Sequence, residues 1–106
     1  MKDHRVLDDA ASRQALYRAM LTLRTTAECE AFLRDLCTPA EIQAMADRWV
    51  VAERLADGLP YRQIHERTGV SVTTIGRVAR CLNDGAGGYA TALRRLRRQP
   101  QGESRR

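Results

Sequence analysis

Apolar residues recur at helical spacing along most of the chain, and no stretch shows the strict alternation of a half-buried β-strand. Between residues 8 and 23, Leu16, Met20 and Leu23 fall on one face, which predicts an amphipathic helix with a wide apolar side. The pattern as a whole predicts an all-α fold.

Two start signals locate the next helices. Thr25 and Glu28 have the spacing of a capping box, which predicts a helix that continues through Leu36. The segment TPAE at residues 38–41 offers a threonine N-cap, proline at the first helical position and glutamate at the third. The helix that it opens is expected to end at Gly58. Its expected inward stripe is Ile42, Met45, Ala46, Trp49, Ala52 and Ala56, with Val50 and Leu55 at the edge.

The segment that follows predicts two short helices separated by a tight turn. Pro60 suits the first position of a helix in which Ile64 and Thr68 share one face. Gly69 is a stop signal because helices often end in a left-handed residue, and Ser71 is a favourable N-cap for the second helix. This is the layout of a helix-turn-helix that reads DNA, and a plain helical hairpin in a small all-α domain is the alternative.

The second of these helices has the composition of a recognition helix. Its expected inward residues are Val72, Ile75, Val78 (or Ala79) and Leu82. Small hydroxyl residues at its start and arginines one turn later suit a major groove, since threonine can contact base edges and arginine can bind guanine or phosphate. The expected base-edge contacts are Thr73, Thr74 and Arg77, and the expected phosphate contacts are Arg62, Ser71 and Arg80. The full candidate set is Arg62, Ser71, Val72, Thr73, Thr74, Gly76, Arg77 and Arg80.

A glycine-rich segment joins this unit to the last helix. Residues 85–88, GAGG, follow no strand and lack the GKS/T ending of a nucleotide-binding loop, so we interpret them as a flexible link. The last helix is predicted over residues 89–98, with Leu93 and Leu96 inward. Residues 99–106 are predicted to be a disordered tail.

Charge is distributed unevenly along the chain. The formal net charge is +5, but residues 1–58 carry 8 basic and 10 acidic residues, whereas residues 59–98 carry 8 arginines against 2 acidic residues. The excess lies on the predicted reading unit and the helix after it, as expected of a phosphate-binding surface. For the arginines of residues 94–98, a solvated helix end near the negative pole of the dipole is an equal alternative.

Length and composition limit the architecture. The 106 residues predict one domain over residues 1–98, in which helices over 8–58 dimerise and residues 60–82 form the helix-turn-helix. A thin helical chain with a single Phe and a single Trp has a small core, so a second copy is a plausible source of further burial. A compact monomeric bundle is the alternative.

Several kinds of chemistry are not indicated. The three cysteines lack CxxC spacing and lie in apolar faces, which predicts reduced core thiols and no metal site. The sequence has neither a membrane-length apolar run nor a signal-peptide core, so we expect a cytoplasmic, nucleoid-associated protein. With no carboxylate pair and no Ser/His/Asp set, we expect no enzymatic activity.

The motifs together resemble a known family. The fragments CTPAEIQAMADRW, ADGLPYRQIHERTGVSVTTIGRVARCLN and GAGGY are similar to the Trp repressor superfamily, most closely to its YerC/YecD branch. The resemblance covers roughly residues 12–97 and implies an intertwined all-helical homodimer with an embedded helix-turn-helix. Two reading helices would then enter successive major grooves, about 34 Å apart, on a pseudo-palindromic operator. Repression is the activity that the resemblance implies.

The resemblance also raises the question of an effector. Thr38, Arg48 and Arg77 match residues that surround tryptophan in the Trp repressor. Val78 stands where that family has glycine, and Cys81 stands where it has serine. Because Val78 adds volume to a close-packed site, we expect no useful binding of L-tryptophan and no cofactor.

The sequence therefore predicts a dimeric, sequence-specific transcriptional regulator that binds double-stranded DNA through residues 72–82. Two alternatives remain open. One is a nonspecific nucleic-acid or protein-interaction module on the same basic face, suggested by Gly76, which removes a side chain from the reading helix. The other is a repressor that responds to an amino-acid-type effector.

Overall fold

The computed structural model describes residues 8–98, which contain six helices and no strand, so the predicted all-α fold is confirmed. The helices are α1 (Asp9–Met20), α2 (Thr26–Leu36), α3 (Pro39–Ala56), α4 (Tyr61–Thr68), α5 (Val72–Asp84) and α6 (Gly88–Arg98). The chain divides into two compact units, Met1–Ile42 and Gln43–Arg106, with the boundary inside α3. The predicted tail over residues 99–106 lies outside the described residues.

The first unit has regular helices but no interior of its own. Neither α1 nor α2 contains a buried residue. Tyr17 and Met20 on α1 are 48% and 46% exposed, and Leu36 on α2 is 53% exposed. Helix α1 also ends earlier than predicted, since Leu21 is its C-cap and Leu23 lies beyond it. The apolar faces that the sequence predicts are present, but none of their residues is fully buried among residues 8–98.

Side-chain caps fix where α2 and α3 begin. At α2, the Glu28 N–H donates to Thr25 Oγ1 at 3.1 Å, while the Glu28 carboxylate accepts from the Arg24 N–H at 2.7 Å. At α3, the Glu41 N–H donates to Thr38 Oγ1 at 3.2 Å, and the Thr38 N–H donates to the Glu41 carboxylate at 2.8 Å. Both predicted start signals are confirmed, and the second is a reciprocal capping box.

The second unit has a continuous apolar core. Its buried members come from α3, α4, the turn and α5, and they are Val51, Ala52, Ile64, Val70, Ile75 and Val78. Trp49, Leu55, Leu59 and Tyr89 pack against this cluster.

The predicted stripe on α3 is wrong in part. Val51 was not among its members, yet it is fully buried, whereas Met45 is 37% exposed and Ala46 is exposed. The buried part of α3 is the stretch packed in the core around the helix-turn-helix, and it follows that contact rather than one stripe along the whole helix.

The turn between α4 and α5 is held by four local contacts. Gly69 adopts a left-handed conformation with φ of 77° and donates its N–H to the His65 carbonyl, as the stop signal predicts. The Thr68 hydroxyl donates to the Ile64 carbonyl at 2.7 Å and accepts from the Val70 N–H at 3.1 Å. His65 Nδ1 lies 2.7 Å from the Val70 carbonyl oxygen. The start of α4 differs by one residue from the prediction, because Pro60 is its N-cap and Tyr61 its first residue.

Helix α6 turns back through the glycine segment. A Cβ at Gly85 would collide with the Cys81 carbonyl, so this position requires glycine for a steric reason, and Gly87 has a φ of 91°. Leu93 is buried at 8% exposure, but Leu96 is 47% exposed, so its predicted inward packing is wrong. The Arg97 guanidinium donates to Asp57 Oδ1 at 2.9 Å and ties the last turn of α6 to the residue after α3.

The cysteines do not occupy the core. All three are free thiols, as expected, but Cys29 and Cys81 are exposed and Cys37 is only half-buried. The prediction of core thiols is therefore wrong, because α2 buries nothing and Cys81 lies beside the buried stripe of α5. Within residues 8–98, no helix combines the length and apolarity needed to cross a membrane.

Candidate nucleic-acid interface

Helix α5 separates a buried face from an exposed one. Ile75, Val78 and Ala79 are buried, whereas Thr73, Arg77 and Arg80 are exposed. Because the buried face anchors α5 in the core of its unit, the exposed face is held in a fixed orientation.

Val72 is exposed although it lies on the apolar side of α5, three residues before the buried Ile75. It is 52% exposed, so its predicted inward packing is wrong, and Val70 in the preceding turn is buried instead. Val72 is the first residue of α5, and the core there includes Val70 of the turn but not Val72. The exposure agrees with its other assignment, as a candidate DNA contact.

The start of α5 offers backbone donors. Ser71 Oγ accepts from the Thr74 N–H at 3.1 Å and donates to Thr74 Oγ1 at 3.0 Å. This cap leaves the N–H groups of Val72 and Thr73 without a partner among residues 8–98. Free N–H groups at a helix N-terminus are suited to a phosphate oxygen. Because the Ser71 hydroxyl already donates its proton to Thr74 Oγ1, Ser71 contributes to such a site chiefly by positioning the first turn of α5.

Gly76 lies in the interior of α5 without a packing reason. A Cβ built at this position would meet nothing within 4 Å among residues 8–98, and the φ of Gly76 is not in the left-handed region. Glycine costs about 1 kcal/mol relative to alanine inside a helix. The described part of the chain does not require glycine at this position.

The basic side chains of this unit are available to a ligand. Arg62, Arg77 and Arg80 are exposed, and none forms an ion pair with a carboxylate among the described residues. The same holds for Arg48, and neither Arg48 nor Arg77 forms a salt bridge with the nearby carboxylates Asp47 and Glu53. Asp47 instead accepts from the Gln43 side chain at 2.8 Å.

A pocket of about 310 Å³ opens beside α5. Four of the five candidate effector residues line it: Arg48, Arg77, Val78 and Cys81. The fifth, Thr38, belongs to the first unit, where its hydroxyl caps α3. Val78 is 2% exposed and is part of the core.

Two further residues complete the lining of this pocket, namely Thr74 and Tyr89. Tyr89 is not among the candidate residues predicted from the sequence. The only sequence signal for its place in the pocket is its helical spacing, four residues before the inward Leu93. Its ring stacks on Trp49 at a centroid distance of 6.2 Å. A second pocket, of about 380 Å³, shares Cys81 and Tyr89 with the first and is otherwise lined by Trp49, Ala86 and Gly88.

Comparison with known proteins agrees with this architecture. The family model described as Trp repressor protein matches residues 11–97. YerC, an uncharacterized protein of Bacillus subtilis, is 45% identical over 82 residues, which are 77% of this chain and 79% of that protein.

Two solved structures are similar as well. A TrpR-like protein from Eubacterium eligens superposes with a TM-score of 0.78 at 36% identity, over 86% of this chain and 94% of that chain. A Trp repressor candidate from Staphylococcus aureus gives a TM-score of 0.78 at 38% identity, over 84% of this chain and 89% of that chain. The chain therefore belongs to the Trp repressor family, in its YerC-type branch.

Proposed function

We propose that this protein is a dimeric transcriptional regulator, not an enzyme, and that it binds operator DNA through the exposed face of α5. One observation carries this proposal. A helix-turn-helix with its own core holds an exposed row of polar and small residues, flanked by arginines that lack carboxylate partners in the described part of the chain. Family membership supports the same function.

The exposure of each side chain suggests its role. Thr73 and Arg77 are fully available for base edges. Thr74 is half-buried and its hydroxyl oxygen already accepts one bond from Ser71, so its own proton and one remaining lone pair are left for a base. Arg62 and Arg80 are suited to phosphates, together with the N–H groups at the start of α5. The open space over Gly76 would let the duplex backbone approach the helix closely.

A second copy of the chain is the proposed partner of the first unit. Helices α1 and α2 bury nothing and expose Tyr17, Met20 and Leu36. A surface of this kind gains stability from association, because its apolar area is removed from water. Two-fold symmetry would give an operator with two related half-sites about one helical turn apart. Repression is the sign of regulation that we propose from family membership.

An effector-responsive repressor is a second candidate, favoured by the pocket beside α5. Arg48 and Arg77 both line it and lack carboxylate partners among residues 8–98, so a small anionic ligand would find two guanidinium donors there. L-tryptophan remains an unfavourable candidate because of Val78 and Cys81. Calorimetric titration is expected to show no saturation at low micromolar L-tryptophan, and saturable binding there would contradict this expectation.

The test of the proposed function removes one exposed arginine from α5. Arg80→Gln should lower the slope of log K against log salt by about 0.9 per subunit, the value expected when each copy loses one phosphate contact to B-DNA. Fluorescence anisotropy with a labelled duplex at several salt concentrations measures this slope. Arg34→Gln is the control, because Arg34 lies on α2 beside Glu30 at 3.7 Å. Equal slopes for wild type and Arg80→Gln would contradict the phosphate contact that we assign to α5.

A nonspecific binding module gives a different result in the same assay. Its affinity would fall steeply with salt but would not differ between operator and random duplexes. Such a result would contradict the proposed specific regulator.

A further inference from the structure

Helix α6 carries an unusual concentration of positive charge. Four of its eleven residues are arginine and none is acidic. Arg97 is paired with Asp57 at 2.9 Å. The other three, Arg94, Arg95 and Arg98, are exposed and have no carboxylate partner within residues 8–98.

These three arginines share one side of α6. At about 100° per residue, Arg94, Arg95 and Arg98 fall within an arc of about 100°. Leu93, the buried residue of α6, lies on the opposite side of the helix. Arg97 falls outside the arc and is turned toward Asp57. We call the three residues the outer arginine face.

The helix alone does not explain the outer arginine face. A helix dipole favours cations only within the last turn, and Arg94 lies before that turn. Arg94 and Arg98 are also four residues apart, a spacing at which like charges destabilise a helix. The arrangement is therefore unfavourable for the isolated chain, and a bound polyanion would offset the repulsion.

The surrounding residues indicate which polyanion fits. The outer arginine face contains no aromatic side chain on which an unpaired base could stack. Leu96 is 47% exposed, but it lies about 100° around the helix from Arg95, so the arc of the three arginines itself presents no apolar residue for insertion into a lipid surface. Guanidinium groups bind phosphate oxygens in a fork geometry that needs no base contact.

We propose that the outer arginine face is a second DNA-binding surface, which holds the phosphate backbone of duplex DNA independently of its sequence. This inference rests on the proposed function, because it adds a sequence-independent contact to the sequence-reading contact of α5. It assigns to α6 a share of the affinity and none of the discrimination between sequences.

The test compares arginines of the same helix in the full-length protein. The triple variant Arg94→Gln, Arg95→Gln, Arg98→Gln is titrated by anisotropy with a selected operator duplex and with a random duplex over a range of salt. The slope of log K against log salt should fall by about 2.7 per subunit for both duplexes, since each lost phosphate contact contributes about 0.9. The ratio of the two affinities should not change.

Arg97→Gln is the matched control for Arg98→Gln. Both substitutions remove one positive charge from neighbouring positions of α6, but only Arg98 belongs to the outer arginine face. We expect a reduced slope for Arg98→Gln and the wild-type slope for Arg97→Gln. Thermal unfolding of the triple variant should stay close to that of wild type, because the relief of repulsion between Arg94 and Arg98 is offset by the loss of two cations, Arg95 and Arg98, from the last turn of the helix.

The outcomes separate this inference from the proposed function. A wild type that prefers its operator, together with an unchanged slope in the triple variant, overturns the second surface and leaves the α5 proposal in place. A wild type without sequence preference, together with a reduced slope in the triple variant, supports the second surface and overturns specific reading. Equal slope losses in Arg97→Gln and Arg98→Gln, or binding to structured RNA but not to duplex DNA, overturn the second surface.

Discussion

The two units of this chain differ in whether they contain their own core. The unit from Gln43 onward buries Val51, Ile64, Ile75 and Val78 almost completely, whereas α1 and α2 bury no residue at all. Both units have amphipathic helices with defined caps, so the difference does not lie in local structure. It lies in what each apolar face can pack against. The helix-turn-helix has its core within one chain, and a second copy of the chain is the partner that we propose for the first unit.

The largest expected effect comes from placing a charge on the open face of the first unit. Leu36→Glu should abolish the proposed dimer, because burying an unpaired carboxylate costs several kcal/mol and a symmetric dimer would contain two of them. Sedimentation velocity should show the mass of a single chain for this variant and twice that mass for wild type.

Val72→Glu is the matched control, since Val72 is 52% exposed and Leu36 is 53% exposed. Val72 lies on α5, so this variant should keep the wild-type mass. If both variants dissociate, or if wild type itself sediments as a monomer, the proposed role of the first unit is wrong.

A cavity in the core of the second unit should have the next largest effect. Ile64 is fully buried between elements of the helix-turn-helix, so Ile64→Ala should lower the free energy of unfolding by about 2–5 kcal/mol. Urea denaturation followed by circular dichroism measures the change. Val72→Ala, at an exposed position, should stay within about 0.5 kcal/mol of wild type. A comparable loss for both variants would contradict the assignment of the core.

A smaller effect is expected from one candidate base contact. Thr73→Ala should reduce discrimination at a single operator position by about 1–3 kcal/mol and leave other positions unchanged. Competition binding with single-position operator variants measures this. Uniform weakening on every sequence would instead identify Thr73 as a backbone contact.

The smallest predicted effect has opposite signs in two assays. Gly76→Ala should stabilise the fold by about 1 kcal/mol, because alanine is the better helix former and its Cβ meets no other atom of residues 8–98 within 4 Å. The same variant should bind the operator more weakly, since the added Cβ occupies the space proposed for the duplex. Gly88→Ala, also at an open position, is the control for DNA binding. Unchanged operator affinity in Gly76→Ala would show that the duplex does not approach this position.

Local signals in the sequence predicted most of the fold. The caps at Thr25, Thr38 and Ser71 and the stop at Gly69 depend on residues only a few positions apart, and all four are present in the structure. The burial of Ile75 and Val78 followed from spacing within one helix.

Predictions that depend on distant residues were weaker. The burial of Val51 and the exposure of Val72 depend on where other elements meet α3 and α5, and periodicity along one helix carries no such information. The pairing of Arg97 with Asp57 and the presence of Tyr89 in the pocket join segments that are far apart in sequence. The assignment of residues to DNA contact stays a prediction, because exposure shows which side chains are available and not what they touch.

The most direct test of the central claim is in-vitro selection of random duplex DNA by the purified full-length protein at near-physiological salt. We predict enrichment of an inverted repeat whose half-sites lie about one helical turn apart, as two copies of α5 on a two-fold axis require. Recovery of duplexes without a common sequence, with retention that disappears as salt rises, would contradict a dimeric, sequence-specific regulator.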